Sequence, residues 1–299
     1  KMMLLVDVGT NAEIVLGNRE RVVAASSPTG PAFEGAEISC GQRAAPGAIE
    51  RVRIDPVTLE PRYRVIGVDK WSDEEGFEEA AAAVGVTGIC GSAIIEVVAE
   101  MYLSGIISED GVIDGAMAEK SPRIIQNGRT YSYLLRDGEP RITVTQNDVR
   151  AIQLAKAALY AGIKLLMEKQ GIDKVDAIRF AGAFGSFIDP KYAMVLGLIP
   201  DCNLEDVKAV GNAAGTGALM ALLNRGHRRE IEQVVRKIEK IETALEEKFQ
   251  QHFVNAMAMP NKVEPFPELA KVVQLPERKV LGGGSDEGGG GRRRRRERG

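Results

Sequence analysis

The stretch that most constrains the fold lies at the start of the chain, where residues 4–16 read Leu-Leu-Val-Asp-Val-Gly-Thr-Asn-Ala-Glu-Ile-Val-Leu. The pattern predicts two antiparallel strands joined by a tight turn, in which Gly9 and Asn11 best tolerate a positive φ. Such a turn offers backbone N–H groups and the Thr10 hydroxyl to a phosphate, and Asp7 offers a carboxylate to a metal ion or its bound water. A hairpin with a merely polar turn fits this segment equally well.

The composition is that of a globular protein with a full core. Of the 299 residues, 44% are hydrophobic and 27% charged, and no apolar run approaches the roughly 20 residues that span a bilayer. Cys40, Cys90 and Cys202 are far apart and form no CxxC motif, which argues against a disulfide framework or a self-contained iron–sulfur or zinc site. We therefore expect a cytoplasmic protein. Because the chain opens with Lys1 and enters a strand almost at once, we expect a fragment of a longer protein.

The net charge of −3 hides an uneven distribution. The segment 282–299 holds six arginines and three acidic residues, so residues 1–281 carry a charge of −6. The glycine and arginine run has no apolar residue with which to form a core. We predict a lobe at residues 1–260, an extension at 261–281 and a disordered tail at 282–299.

Two loops in the first half carry small residues beside groups that suit a ligand. Glu34 lies in a loop of small residues that leads into a short helical turn, where its carboxylate either faces a cleft or is simply solvated. Gly88, Gly91 and Ser92 precede the apolar helix at 94–103, and a helix N-terminus attracts anions. Helix packing alone would also favour small residues at these positions.

The second half alternates helix and strand. The longest helix begins near Thr145 and ends at Gly171, since its apolar positions keep the helical period. A strand at residues 177–180 then enters a loop that reads Ala-Gly-Ala-Phe-Gly-Ser-Phe, and its small residues let a base or ribose approach the backbone. A glycine loop after a strand is also ordinary α/β structure.

A second glycine-rich segment follows the strand that ends near Val210. Its glycines, at 211–217, are predicted to lie on a helix face that packs against another element or acts as a hinge. A charged helix is predicted from about Arg228 to Phe253.

Four segments stand in order along the chain: DVGTN, GICGSA, FAGAFGSFID and VGNAAGTGA. Together they resemble the C-terminal half of the ATPase domain in the reductive activators of corrinoid proteins, which belongs to the acetate/sugar kinase, Hsp70 and actin superfamily. The resemblance runs from about residue 4 to residue 260 and includes TGPAFEGA, TQNDVRAIQLAKAALYAGI and KFQQHFVNAMAMP. It implies a mixed α/β fold, an RNase H-like lobe with antiparallel initial strands and an inserted hairpin region.

The resemblance also implies roles for residues of this chain. The DVGTN turn matches the second phosphate motif, the segment 182–185 matches the adenosine motif, and Gly211 and Asn212 match the start of the hinge-side helix. With the two loops above, the candidate site has Asp7 and Glu34 in catalytic roles and Asp7 as the metal ligand. The candidate nucleotide-binding residues are Gly9, Thr10, Asn11, Gly88, Gly91, Ser92, Gly182, Ala183, Phe184, Gly185, Gly211 and Asn212. Ala12, Ala93 and Ala183 stand where the family usually has glycine, and a Cβ that touches the nucleotide is expected to weaken its binding.

The activity implied by the resemblance is the ATP-dependent reduction of cob(II)alamin to cob(I)alamin in a partner corrinoid protein, as part of a methyltransferase system. The implied cofactors are ATP and Mg²⁺, with an iron–sulfur cluster only in an N-terminal part outside this sequence and the corrinoid carried by the partner. The expected partners are the corrinoid protein, an electron donor and a second copy of the chain, but no membrane and no nucleic acid. Two alternatives are a small-metabolite kinase of the same superfamily and a non-catalytic docking module.

Overall fold

The computed structural model describes residues 1–277, so the predicted disorder of the tail at 282–299 falls outside the described residues. The strands are β1 (Met3–Asp7), β2 (Ala12–Gly17), β3 (Val22–Ser27), β4 (Ala48–Ile54), β5 (Pro61–Val65), β6 (Gly88–Ile89), β7 (Ile124–Asn127), β8 (Thr130–Arg136), β9 (Ile142–Thr145), β10 (Ala177–Ala181), β11 (Val207–Gly211) and β12 (Glu239–Lys240). The helices are α1 (Phe77–Ala82), α2 (Gly91–Leu103), α3 (Gln146–Gln170), α4 (Gly182–Gly185), α5 (Pro190–Leu196), α6 (Ala213–Leu223), α7 (Arg225–Val235), α8 (Lys248–Ala256) and α9 (Pro267–Ala270).

The central sheet has six strands in the order β11-β10-β1-β2-β3-β12. The first three strands of the chain pair antiparallel, whereas β10 lies parallel to β1 and β11 lies parallel to β10. An antiparallel start extended by parallel strands is the RNase H-like arrangement that the resemblance implied. The predicted opening hairpin and the mixed α/β class are therefore confirmed.

Helix α3 covers one face of this sheet. It packs against β2 and β3, and alternate residues of β1 and β2, among them Leu4, Val6 and Ile14, are fully buried in the core. The helix begins with a capping box, in which the Thr145 hydroxyl accepts from the Asp148 N–H, and it ends at Gly171 with φ +67°. These bounds confirm the longest helix predicted from the sequence.

The inserted region between β3 and α3 carries two three-stranded sheets, β5-β4-β6 and β7-β8-β9. Because β6 pairs only with the start of β4, the rest of that strand edge needs other hydrogen-bond acceptors. Two buried carboxylates one turn apart on α2 supply them: the Val52 N–H donates to Glu96 Oε2 at 2.9 Å and the Ile54 N–H donates to Glu100 Oε2 at 3.2 Å. The Tyr192 hydroxyl also donates to Glu100, and burial together with this bond raises the tyrosine's pKa.

Three local predictions were wrong. Neither Gly9 nor Asn11 has a positive φ, because the turn spans several residues and is stabilised by contacts to Thr29 and Gly30. The segment 182–185 forms the short helix α4 instead of a loop. The charged segment 228–253 contains two helices, α7 and α8, separated by β12, which pairs with β3.

The C-terminal part of the described chain packs on the same core as the sheet. Phe266 and Leu269 are buried, and Nζ of the fully buried Lys156 donates to the carbonyl oxygens of Ala258 and Pro260. The predicted boundary at residue 260 stays a prediction. Within residues 1–277, no helix is both long and apolar enough to span a membrane.

Candidate functional site

The residues of three predicted motifs meet at one edge of the central sheet. Asp7 at the end of β1 pairs in register with Ala181 at the end of β10, which pairs with Gly211 at the end of β11. These three strands are parallel, so their carboxyl ends, and the turns that follow, share this edge. Ligands of open α/β sheets bind at such edges.

The turn after β1 is oriented by hydrogen bonds from its neighbour. The Thr29 hydroxyl donates to the carbonyl oxygens of Gly9 at 2.6 Å and Thr10 at 3.1 Å, and the Gly30 N–H donates to Thr10 O at 2.9 Å. In a trans peptide the N–H points opposite to the carbonyl. The N–H groups of Thr10 and Asn11 therefore point away from Thr29.

The Thr10 hydroxyl connects this turn to the second predicted carboxylate. It donates to Glu34 Oε1 at 2.8 Å across 24 positions of sequence. Glu34 is exposed and lies in a 3₁₀ turn, Ala32–Glu34, that ends at Gly35 with φ +85°. The structure thus brings Glu34 to the turn after β1, with its side chain still exposed to solvent.

Close packing joins the predicted phosphate turn, residues 7–11, to the predicted adenosine segment, residues 182–185. Gly182 has φ +83°, and a Cβ atom added there would overlap Asp7 Oδ1. The carboxylate of Asp7 therefore lies directly against the start of α4. Only glycine combines that backbone conformation with that contact.

Beside α4 lies a cavity of about 480 Å³. Its volume is in the range of small-molecule sites. It is lined by Phe33, Glu34, Gln42, Arg43, Ala44, Glu50, Ile66, Cys90, Gly91, Ser92, Ala183, Phe184 and Phe187. Aromatic rings and polar side chains thus share one cavity, a combination that suits a purine nucleoside.

A larger groove of about 760 Å³ contacts Lys1, Met3 and Leu5. It lies at the start of β1, whereas Asp7 stands at the end of that strand. We therefore place the candidate site at the smaller cavity, whose lining includes five of the predicted residues: Glu34, Gly91, Ser92, Ala183 and Phe184.

The small residues around α2 are required by packing. A Cβ at Gly91 would overlap the Phe33 carbonyl oxygen and the Phe184 ring, and a Cβ at Gly88 would meet the side chain of Gln42. Gly91 nevertheless lines the cavity, whereas Gly88 is buried in β6. The Ser92 hydroxyl, which also lines the cavity, donates to the Glu50 carbonyl at 3.0 Å.

The last predicted segment caps a helix. Gly211 ends β11 with φ +69°, and the Asn212 side chain accepts from the Gly215 N–H at 2.8 Å at the start of α6. The glycine face of this helix lacks the predicted close packing at Gly217, where an added Cβ would meet no heavy atom within 4 Å. All eleven residues of α6 retain partial or full exposure.

Sequence reasoning missed several residues that shape the site. Thr29 orients the phosphate turn, and Gln42, Arg43 and Phe187 line the cavity. Thr29 belongs to the TGPAFEGA motif, so its position in a resembling segment was the one available signal. Phe187 belongs to the segment FAGAFGSFID, so the same signal was available for it. Gln42 and Arg43 belong to none of the resembling segments, and only the folded chain brings them to the cavity.

The three alanines that replace family glycines differ in their environment. Ala12 and Ala93 are fully buried, so their methyl groups fill core space away from solvent. Ala183 is exposed and lines the cavity. Of the three alanines, therefore, only Ala183 is placed where its methyl group could weaken nucleotide binding.

The oxygen donors at the sheet edge fit a hard cation that also contacts a substrate. Asp7 supplies a carboxylate, and Thr10 and Glu34 lie together beside the same turn. Within residues 1–277 there is no group of three or more His, Cys, Asp or Glu side chains that would enclose a metal. Mg²⁺ is commonly held by one or two carboxylates together with water and substrate phosphates, so the donor set fits Mg²⁺ in that manner.

The sheet, its insertion and the paired phosphate and adenosine segments define a lobe of the acetate/sugar kinase, Hsp70 and actin type. The profile of one protein family, described as the C-terminal domain of RACo, the ASKHA domain, matches residues 1–270. The chain belongs to this family.

Curated relatives and a solved structure agree with that assignment. The chain is 36% identical over 270 residues to the corrinoid activation enzyme RamQ of Eubacterium limosum, covering 86% of this chain and 43% of that protein. It is 29% identical over 256 residues to the [Co(II) methylated amine-specific corrinoid protein] reductase of Methanosarcina barkeri, covering 79% of this chain and 41% of that protein. A solved reductive activator for corrinoid, iron–sulfur protein superposes with a TM-score of 0.74 at 32% identity, covering 87% of this chain and 40% of that one. The chain therefore spans about two fifths of the length of these relatives.

Proposed function

We propose that this chain is the ATP-binding part of a reductive activator that couples ATP hydrolysis to the reduction of cob(II)alamin to cob(I)alamin in a partner corrinoid protein, within a methyltransferase system. The relatives that the chain matches are named as enzymes that activate or reduce corrinoid proteins. The observation that carries the proposal is the contact of Asp7 with Gly182, which sets the phosphate turn against the adenosine segment beside a cavity.

The nucleotide would occupy this edge of the sheet. The Thr10 and Asn11 N–H groups would bind phosphate oxygens, with the adenosine in the cavity next to Phe184. The Thr10 hydroxyl has a single proton, which would move from Glu34 to a phosphate oxygen when the nucleotide binds. Asp7 would hold Mg²⁺ or orient the attacking water, and bound Mg²⁺ would neutralise phosphate charge. Glu34, which already accepts from Thr10, would accept a hydrogen bond from that water.

ATP can drive the reduction only if it binds two states of the activator with different affinity. Reduction of cob(II)alamin takes one electron from a low-potential donor of the iron–sulfur type, and that transfer to free cob(II)alamin is uphill. In our proposal, ATP binding closes the activator on the corrinoid protein and changes the cobalt coordination. Hydrolysis to ADP and phosphate then releases the complex.

The docking-module alternative draws support only from the alanine at position 183. Ala12 and Ala93 are buried in the core, so two of the three departures have no bearing on a ligand. Adding the corrinoid protein distinguishes an activator from a small-metabolite kinase, because it would stimulate the ATP turnover of an activator only.

Replacement of Asp7 by Asn tests the proposal. In the protein that carries this chain, ATP turnover in the presence of the corrinoid protein should fall at least about a hundredfold, because a metal-assisted charge interaction supplies several kcal/mol. The exposed Asp110 offers a matched control, since Asp110→Asn makes the same chemical change away from the site. Thermal unfolding of both variants would show that the fold is intact. Unchanged turnover in Asp7→Asn would contradict the proposed role, and turnover insensitive to the corrinoid protein would contradict the activator assignment.

A further inference from the structure

One face of the β4–β5 ribbon carries four arginines in two directly opposed pairs. Arg51 on β4 stands opposite Arg64 on β5, and Arg53 stands opposite Arg62. The residues that alternate with the arginines, Val52, Ile54, Tyr63 and Val65, are buried in the core. The arginine side chains therefore share the opposite face, where Arg62 is exposed and the other three are partly exposed. Like charges directly opposite each other destabilise a strand pair. We call these four residues and Trp71 the arginine face.

The arginine face is only partly neutralised by the described part of the chain. The fully buried Glu96 pairs with Arg51 at 2.8 Å and with Arg53 at 2.6 Å. Arg62 and Asp73 are both about half exposed and lie 3.9 Å apart, a separation at which an ion pair contributes little. The Nε of Arg64 is buried and has no hydrogen-bond partner within residues 1–277.

Trp71 holds the guanidinium groups in place. The Arg53 and Arg62 guanidinium carbons lie 5.7 Å and 4.8 Å from the centre of its ring. Lys191, on α5, adds a further cation beside Tyr192, whose ring also contacts Arg53. Stacked guanidinium groups lose little conformational freedom on binding, and their planar donors match carboxylates in bidentate geometry.

A hydrogen bond connects this face to the candidate nucleotide site. Arg51 donates from Nη1 to the Phe187 carbonyl oxygen at 3.1 Å. Phe187 follows α4 closely, lines the cavity, and is 58% exposed. A ligand that moves α4 would therefore change the environment of the arginine face.

We propose that the arginine face binds an acidic surface of a protein partner. The identity of that partner as the corrinoid protein rests on the function proposed above, whereas the acidic character of the bound surface rests on the arginines themselves. Residues 1–281 carry a net charge of −6, so a concentrated cationic face on this chain marks a local contact. A nucleic acid fits less well, because the acidic body repels a long polyanion and the Trp71 ring is already covered by arginines.

The test removes charge from β5, whose two arginines do not hold Glu96. The protein that carries this chain, as wild type and as Arg62→Gln/Arg64→Gln, is titrated with the corrinoid protein at several salt concentrations. We expect the double variant to bind at least tenfold more weakly and with a shallower salt dependence. Its melting temperature should be unchanged or higher, because like-charge opposition is relieved, and its ATP turnover without the partner should be unchanged. The control Arg19→Gln/Arg129→Gln removes the same charge from two exposed positions elsewhere and should bind as wild type does.

The outcomes separate this proposal from the proposed function. If the double variant binds the corrinoid protein with the same affinity and the same salt dependence as wild type, the proposed role of the arginine face is overturned. The proposed activator function is left in place. A wild type that does not bind the corrinoid protein at all would overturn both. Tighter binding of wild type to a single-stranded oligonucleotide than to the corrinoid protein would overturn the choice of a protein partner. If the double variant does not fold, the single variant Arg62→Gln, at a half-exposed position, replaces it. It must also bind the corrinoid protein more weakly than wild type, and an unchanged affinity would overturn the proposal.

Discussion

Two glycines on neighbouring strands allow the geometry of the site to be tested by matched substitutions. Gly182 follows β10 with φ +83°, and Gly211 ends β11 with φ +69°. A Cβ at Gly182 would overlap Asp7 Oδ1, whereas one at Gly211 would meet no heavy atom within 4 Å. Gly182→Ala and Gly211→Ala therefore share the backbone strain, and only the first also displaces Asp7.

The expected losses of stability follow from the backbone strain and from the displacement of Asp7. A left-handed backbone costs an L-residue about 1–2 kcal/mol relative to glycine, so Gly211→Ala should lower the free energy of unfolding by about that amount. Gly182→Ala adds the cost of overpacking, about 1–3 kcal/mol. We expect a total loss of about 2–5 kcal/mol for Gly182→Ala.

Equilibrium urea unfolding of wild type and both variants measures the difference, and a MgATP titration measures its effect on the site. Gly182→Ala should lose more stability than Gly211→Ala, and its affinity for MgATP should fall because Asp7 has moved. Equal stability losses in the two variants, within about 0.5 kcal/mol, would show that Asp7 does not lie against Gly182 and would refute the geometry on which the site is built.

Two further predictions concern buried polar groups. Burial lowers the pKa of Lys156 well below the ordinary value of 10.5, so below that pH the unfolded chain binds more protons and stability rises with pH. Relative to Lys156→Met, urea unfolding of wild type should therefore show a stability that grows as the pH rises toward the ordinary lysine pKa of 10.5, by at most about 1.4 kcal/mol per pH unit. A difference that does not change with pH would contradict this prediction. Tyr192→Phe removes a donor from the buried Glu100 and should cost about 1.5–3 kcal/mol in the same assay, whereas a loss below about 0.5 kcal/mol would mean that Glu100 does not depend on that hydroxyl.

The elements with a strong local signal could be predicted from the sequence. The opening hairpin follows from two apolar runs around a polar break, and α3 follows from its helical period, its capping box and its terminal glycine. Both depend on residues that are neighbours in sequence. The resemblance of four ordered segments supplied the RNase H-like lobe with its antiparallel initial strands, which no local pattern contains. The order of all six strands came from the structure.

The features that escaped prediction depend on contacts between distant residues. The turn after β1 owes its conformation to Thr29, 20 positions away from Gly9. The buried Glu96 and the arginines that it pairs with lie 43 and 45 positions apart, so the sequence shows only a glutamate in an apolar helix. Likewise, the break between α7 and α8 depends on β12 pairing with β3 at the other side of the chain.

Helices α6 and α7 form an exposed pair that can unfold locally. Each helix has eleven residues, none of them buried, and the pair connects β11 at one edge of the sheet with β12 at the opposite edge. Isolated helices of this length are marginal in water, so their order depends on ends that the sheet already fixes. The pair is therefore a unit that can unfold while the sheet stays folded. Its amide protons should exchange with solvent far sooner than those of α3, whose exchange requires loss of the core.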